Sequence, residues 1–255
     1  MPAHFLIPFA ALLGAVIGSF LNVVIVRLPQ NQSVVFPRSR CPACATELHW
    51  FDNIPLVSFL ALHGRCRTCD ATISWRYPIV EGVTALLFVL AAWRSASPAD
   101  LLAAWLFLSA LVTITAIDLE HQVIPDRITL PGIALGFLSS FLGTHTSWLD
   151  SLLGIVAGGG ILFAVIMVSG GGMGGGDMKL GGMLGAFLGY KLALLSLFVA
   201  VILGGLVAVA LLSTGIRRRK DPIPFGPFLA IGGALAMLWG EAVLRWYLSV
   251  FSPAV

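Results

Sequence analysis

The sequence has 255 residues, of which 58% are hydrophobic and 11% are charged, and its formal net charge is +3. A soluble globular domain carries roughly 25% charged residues, so this composition excludes that class and predicts an integral membrane protein in a lipid bilayer. No stretch resembles a nucleic-acid-binding face, and we expect no nucleic-acid partner.

The chain begins with an apolar run at residues 5–26. A secretory signal peptide carries positive charge before its apolar region, whereas the first arginine of this chain, Arg27, follows the run. The run is also long enough to cross roughly 30 Å of hydrocarbon. We therefore predict a permanent transmembrane helix at residues 1–26.

Further apolar segments approach the ~20 residues that a membrane span needs. Residues 178–213 would form one helix of ~54 Å, which is too long for a single span, and the polar break Gly189-Tyr190-Lys191 divides them. The predicted fold is thus an all-α polytopic membrane protein with about eight transmembrane segments. They are residues 5–26, 78–93, 101–117, 128–142, 149–168, 178–188, 192–212 and 225–250.

The distribution of basic residues supports eight segments. With that count, twelve of the fifteen Lys and Arg lie on one side of the membrane, which the positive-inside rule assigns to the cytoplasm. With seven segments the basic cluster at residues 217–220 would fall outside. We predict three parts, namely the first helix, a cytoplasmic loop domain at residues 27–77 and a transmembrane core at residues 78–255.

Two cysteine pairs stand in the loop domain, Cys41-Pro-Ala-Cys44 and Cys66-Arg-Thr-Cys69, separated by 21 residues. Two C-x2-C knuckles at such a spacing can deliver four thiolates to a tetrahedral zinc ion. A closed structural zinc site is our first interpretation. A redox or disulfide role is the second, although a reducing compartment disfavours it, and an iron site or no metal are the others.

Two acids stand at the ends of apolar segments, Asp118 after the third and Asp177 before the sixth. A carboxylate in such a position is costly toward lipid and is by default a functional candidate. The predicted topology places both acids at the cytoplasmic edge. We therefore expect them to lie at the same depth.

Two neighbouring carboxylates in a low-dielectric site cannot easily both ionise, so one holds a proton while the other acts as a base. Amide hydrolysis requires this division of roles. The glycines before the second acid, Gly174, Gly175 and Gly176, would let a substrate backbone approach and would allow positive φ.

Structural alternatives exist for each acid alone. Asp177 would serve as an N-cap of the helix that follows, and Asp118 would be an interfacial acid paired with Arg127 or Lys179. Two functions from other classes also stay open. The acids would form the proton relay of a membrane transporter, or the cysteines would make the protein a thiol electron carrier.

The acids and cysteines stand among further short motifs that follow one another from residue 18 to residue 229. These are Gly18-Ser-Phe-Leu-Asn22-Val with Arg27-Leu-Pro29, the two C-x2-C pairs, Ser74-Trp-Arg-Tyr-Pro78 followed by Glu81, Ile117-Asp118 through Pro125-Asp126, Gly174-Gly-Gly-Asp177-Met-Lys-Leu, and Ile223-Pro-Phe-Gly-Pro-Phe-Leu229. In this order they resemble the bacterial type IV prepilin peptidases, which are membrane aspartyl proteases of the GxGD class.

The resemblance implies that Asp118 and Asp177 are the catalytic pair of an endopeptidase that cleaves the leader of type IV prepilins, or of type II secretion pseudopilins, after a Gly. It also implies N-methylation of the new N-terminal residue with S-adenosylmethionine. A peptidase without methyl transfer is the alternative. We expect a multi-pass protein of the bacterial inner membrane with its catalytic site on the cytoplasmic side.

The methyl-transfer site has no Rossmann-type motif, because no G-x-G-x-x-G follows a strand pattern. The resemblance points instead to the cytoplasmic loop and its flanks, where Asn22, Arg76 and Glu81 lie near the ends of the first two segments. A carboxylate would attract the cationic sulfonium, so Glu81 is the first candidate for cofactor binding. A membrane-edge Glu81 paired with Arg76 is the alternative.

Overall fold

The computed structural model describes residues 3–144, 146–170, 172–215 and 223–251. Over these residues it contains helices and loops but no strand, with two isolated β-bridges as the only extended pairings. The predicted all-α class is confirmed. The chain divides into two compact units, an N-terminal unit (Met1–Ser95) and a C-terminal unit (Ala96–Val255).

The N-terminal unit consists of two long helices and the loop between them. Helices α1 (Ala3–Arg27) and α3 (Arg76–Arg94) pack together, and the loop contains a short 3-10 helix (Trp50–Asn53) and helix α2 (Val57–Ala61). A Cβ built on Gly18 would lie 2.7 Å from the Cα of Glu81. Because glycine permits this approach, the end of α1 lies directly against the start of α3.

Five helices make up the described part of the C-terminal unit. They are α4 (Pro98–His121), α5 (Asp126–Ser139), α6 (Trp148–Val168), α7 (Gly175–Ser213) and α8 (Gly226–Phe251). Serine N-caps start two of them, since Ser97 and Ser147 each accept a hydrogen bond from the backbone N–H three residues later. The core between these helices is apolar and includes Phe107, Leu111, Ile114, Leu180, Met183, Leu184 and Leu229.

Helices α6 and α7 touch backbone to backbone along glycines. A Cβ on Gly154 would collide with the carbonyl oxygen of Gly185, and a Cβ on Gly158 would collide with that of Gly181. Small residues allow this contact in membrane helix pairs, where van der Waals packing replaces the hydrophobic effect as the driving force. The glycines therefore set the position of α7 against α6.

Helix α7 is interrupted at Gly189, whose φ of 71° and ψ of 170° are not helical. The carbonyls just before the break accept side-chain hydrogen bonds, Ala186 O from Ser151 Oγ at 2.7 Å and Phe187 O from Thr146 Oγ1 at 3.1 Å. Freed backbone groups need such partners in an apolar setting. The predicted polar break at Gly189 is confirmed.

Six helices in the described part of the chain are long and apolar enough to cross a membrane, namely α1, α3, α4, α6, α7 and α8. The chain is therefore a multi-pass membrane protein. Helix α5 has only 14 residues, and the predicted count of eight requires that it and both halves of α7 span the bilayer. That count stays a prediction, as do the three predicted domains. The basic cluster at residues 217–220 lies outside the described residues.

Substitution of Gly154 tests the backbone contact between α6 and α7. Gly154→Ala should destabilise the protein by about 1–3 kcal/mol, the usual cost of overpacking. Gly160→Ala on the same helix is the matched control, because no described atom lies within 4 Å of the added Cβ. Alanine should there be neutral or stabilising, since it favours the helix. Unfolding of both variants in the same detergent measures the difference, and equal stabilities would contradict the contact.

Candidate active site and metal centre

Asp118 lies in the last turn of α4 and is almost fully buried, at 4% exposure. The helix ends three residues later at His121, and the next residue, Gln122, adopts a left-handed conformation and donates its N–H to the Asp118 carbonyl. The Asp118 carboxylate accepts a hydrogen bond at Oδ2 from the backbone N–H of Gly226, at 3.1 Å. Because α8 begins at Gly226, the acid at the end of one helix meets the start of another.

Asp177 is the third residue of α7 and is also buried, at 8% exposure. The N-cap of α7 is Gly174, so the alternative in which Asp177 is the N-cap is wrong. The backbone N–H of Asp177 donates to the carbonyl of Gly174, at 3.1 Å. Because Asp177 is in the first turn of α7, its carboxylate lies at the positive end of the helix dipole.

In the structure, residues beside Asp118 and Asp177 meet at one side chain. This side chain is Ile124, in the short connection after α4, and it packs against the start of α7 and the start of α8. A Cβ on Gly226 would lie 3.1 Å from Cδ1 of Ile124, and a Cβ on Gly176 would lie 2.8 Å from its Cβ. One buried side chain therefore links the surroundings of both acids.

Lys179 forms an ion pair with Asp126, with its Nζ 2.7 Å from Oδ1 and 2.6 Å from Oδ2. The alternative that pairs Asp118 with Lys179 is therefore wrong. The pair joins the start of α5 to the first turn of α7, but both side chains are partly exposed, so it contributes about 0–1 kcal/mol. No sequence pattern indicates this pair, because its members are far apart along the chain.

The three glycines before Asp177 differ in their surroundings. No described atom lies within 4 Å of a Cβ built on Gly175, whereas Gly176 packs against Ile124 and Gly174 lies near Oδ2 of Asp177. The expectation of positive φ is wrong for all three, because Gly174 has a φ of −75° and α7 begins at Gly175. Positive φ in this run occurs at Gly170. Of the three glycines, Gly175 therefore has the most open surroundings.

Asn22 and Glu81 lie at the contact between α1 and α3 in the N-terminal unit. Asn22 is 2% exposed, and its Nδ2 donates to the carbonyls of Gly18 and Tyr77 at 3.3 and 3.2 Å. Its Oδ1 is buried and has no hydrogen-bond partner among the described residues. A buried acceptor that is unsatisfied costs about 1–3 kcal/mol, which indicates a donor not supplied by the protein.

Glu81 is buried and accepts a hydrogen bond at Oε2 from the backbone N–H of Leu56, at 2.8 Å. Leu56 has a φ of 61°, a strained value for a non-glycine residue, and the bond to Glu81 holds it there. Arg76, the third predicted residue, places its guanidinium 5.1 Å from the centre of the Tyr77 ring. No sequence pattern indicates the contact between Glu81 and Leu56, which lie 25 positions apart.

The four cysteines form one cluster in the loop, with all four Sγ atoms within 4.8 Å of one another. Cys41 and Cys69 lie 3.8 Å apart at their sulfur atoms, as expected for thiolates about 2.3 Å from a tetrahedral zinc ion. The distance excludes a disulfide between them, since that bond is about 2.05 Å long. The cluster therefore fits the predicted zinc site.

The turn that carries each cysteine pair has the same backbone pattern. The N–H groups of Cys41 and Cys66 each donate to the carbonyl of the residue five positions later. The carbonyls of the same two cysteines each accept a hydrogen bond from the N–H of the residue four positions later. Hydrogen bonds from the side chain and backbone of Thr46 lower the pKa of the Cys44 thiol to about 6. A backbone hydrogen bond from Thr68 lowers the pKa of the Cys66 thiol. Both effects favour the thiolate form that binds metal.

Two family models match the chain in sequence. The Bacterial Peptidase A24 N-terminal domain matches residues 12–95, and the Type IV leader peptidase family matches residues 105–209. The first match covers the cysteine cluster, Asn22 and Glu81, and the second covers both buried acids. No solved structure matches the chain significantly.

Several curated relatives match over almost their full length. The prepilin leader peptidase/N-methyltransferase of Aeromonas hydrophila is 39% identical over 269 residues, covering 94% of this chain and 93% of the relative. That of Pseudomonas aeruginosa is 39% identical, covering 93% and 91%. That of Bacillus subtilis is 37% identical over 240 residues, covering 93% and 96%.

Replacement of two cysteines tests the metal centre. The purified wild-type protein should contain about one zinc per chain, and Cys41→Ser with Cys44→Ser should remove it, because two thiolates cannot close a tetrahedral site. His63→Ala is the control, since this loop histidine lies outside the four-cysteine cluster. Metal analysis by mass spectrometry gives the ratio. An unchanged zinc content in the double variant would rule out the four-cysteine site.

Proposed function

Because the chain belongs to the type IV leader peptidase family, we propose that it cleaves the leader peptides of type IV prepilins and methylates the new N terminus. One observation carries the peptidase assignment. The buried acids Asp118 and Asp177 lie at the end of α4 and the start of α7, where Ile124 packs against Gly226, which binds Asp118, and against Gly176, which precedes Asp177. The relatives, each named prepilin leader peptidase/N-methyltransferase, support both activities.

Asp118 and Asp177 share one proton in the proposed mechanism. The ionised carboxylate takes a proton from a water molecule, and the resulting hydroxide attacks the scissile carbonyl carbon. The other carboxyl group then gives its proton to the leaving nitrogen as the C–N bond breaks. Burial keeps bulk water away from the pair, so their charges act in a low dielectric. The catalytic pair therefore acts as a unit.

The open backbone at Gly175 suits the approach of an extended substrate segment beside Asp177. The proposed substrates, type IV prepilins and type II secretion pseudopilins, would enter laterally from the lipid with their apolar N-terminal helix, and the bond after the leader Gly would reach the acids. The site would face the cytoplasm of the bacterial inner membrane. The cluster of arginines in the loop at residues 27–77 supports this orientation.

S-adenosylmethionine would supply the methyl group for the new N-terminal amine. Asn22, Glu81 and Arg76 in the N-terminal unit would hold it. The unsatisfied Oδ1 of Asn22 offers an acceptor for a donor group of the cofactor, and the buried carboxylate of Glu81 attracts a cationic sulfonium. The residues fit such a ligand because they combine a buried charge with an unused hydrogen-bond acceptor.

The position of the acids disfavours a proton-relay transporter. A relay needs acids near the middle of the bilayer, whereas Asp118 and Asp177 lie in the terminal turns of α4 and α7. The compact cluster of four unbridged cysteines likewise favours a metal centre over a thiol electron carrier.

Asparagine at either acid tests the proposed pair. Asp118→Asn and Asp177→Asn should each lower the rate of leader cleavage by roughly 10²–10⁴-fold, because an amide can serve neither as base nor as acid. The matched control is Asp100→Asn at the opposite end of α4, which should cleave normally. Product mass after incubation with a prepilin measures cleavage. Near-normal cleavage by either active-site variant would refute the pair.

Glutamine at position 81 tests the methyl-transfer site. Glu81→Gln keeps an acceptor for the Leu56 N–H but removes the negative charge, so methylation should fall at least about tenfold while cleavage persists. Glu47→Gln is the control in the same loop, where the carboxylate pairs with Arg40 at the surface. Unchanged methylation, with full zinc content in both variants, would remove Glu81 from the cofactor site.

A further inference from the structure

The segment at residues 223–229 stands in the sequence as a Pro- and Phe-rich motif with one glycine. The structure places that glycine, Gly226, at the first position of α8 and buries it. Its N–H donates to Oδ2 of Asp118 at 3.1 Å, across 108 positions of sequence. The motif therefore meets one of the two proposed catalytic acids directly.

At the start of α8, the backbone N–H of Gly226 bonds to Asp118, whereas the next N–H groups bond to a backbone carbonyl. The first N–H groups of a helix have no partner within the helix and need one elsewhere. Pro227 has no N–H, and the N–H groups of Phe228 and Leu229 donate to the carbonyl of Phe225. The Gly226 N–H thus donates a hydrogen bond to the carboxylate, and the carboxylate caps the N terminus of α8.

The same carboxylate needs residue 226 to lack a side chain. A Cβ at this position would lie 2.6 Å from Oδ2 of Asp118 and 3.1 Å from its Cγ. Separations below 3.0 Å force a shift, and on the other side the Cβ would lie 3.1 Å from Cδ1 of Ile124. Since Ile124 also packs against Gly176, it has little room to move away from a side chain at position 226.

We propose that Gly226 is a positioning residue for peptide cleavage. Its N–H fixes Oδ2 of Asp118, so that Oδ1 is presented to the water molecule and to Asp177. Because glycine has no side chain, the carboxylate has the space that it occupies. The inference rests on the proposed role of Asp118. It assigns to the motif at residues 223–229 the task of orienting the catalytic carboxylate.

The first test is Gly226→Ala, compared with Gly205→Ala, a glycine in α7 of the same unit with no described atom within 4 Å of an added Cβ. Gly226→Ala should lower kcat for cleavage at least about tenfold with little change in KM, because a displaced carboxylate impairs the chemical step. It should still methylate a pilin that is supplied already cleaved. Gly205→Ala should cleave normally. Normal cleavage by Gly226→Ala would overturn the proposal.

A backbone ester at position 226 removes the N–H without adding bulk. Glycolic acid delivered by a suppressor tRNA makes this change, and glycine delivered by the same tRNA is the control. The ester should lower kcat by about tenfold to a hundredfold, the range for a hydrogen bond to a charged group, with KM and the unfolding temperature nearly unchanged. A loss of folded protein without a loss of kcat would show a purely structural contact and overturn the proposal.

Asp118→Asn separates this inference from the function on which it rests. If Asp118→Asn cleaves normally, the proposed catalytic pair fails and the inference fails with it. If Asp118→Asn is inactive while the ester variant retains full kcat, the pair stands and the role of Gly226 alone is refuted. Inactivity of Asp118→Asn together with a low kcat for the ester supports both.

Discussion

A carboxylate taken out of water must keep hydrogen-bond donors, and in this chain the donors come from the starts of helices. The Asp118 carboxylate accepts a hydrogen bond from the N–H of Gly226 at the start of α8, and Asp177 lies in the first turn of α7, at the positive end of that helix. Backbone donors satisfy an acid without the neutralising charge of a lysine or arginine. Two carboxylates held in this way stay available for acid–base chemistry.

The position of α7 decides whether the acids meet, and glycines determine that position. Gly154 and Gly158 of α6 let the backbone of α7 approach to contact distance, and the break at Gly189 ends the first half of α7 within reach of Ser151 and Thr146. Larger side chains would move the helix that carries Asp177. The glycines at these positions therefore serve helix packing.

The N-terminal unit follows similar physical rules with different residues. Gly18 brings α1 against α3, which buries Asn22 and Glu81 at the same contact. Glu81 holds the strained backbone of Leu56, so the loop that carries the cysteine cluster is tied to the start of α3. A metal centre on that loop would stabilise a segment whose two short helices bury no residue, since metal binding contributes directly to folding.

The amino-acid sequence is enough to predict the membrane class, the helical fold, the break at Gly189 and the clustering of the four cysteines. Each of these depends on composition, on segment length or on the spacing of residues that are close along the chain. The folded chain was needed to show that Asp118 binds Gly226, that Lys179 pairs with Asp126 and that Gly176 packs against Ile124. Such contacts join residues from different helices. They follow from how closely those helices pack, and no local sequence pattern records that distance.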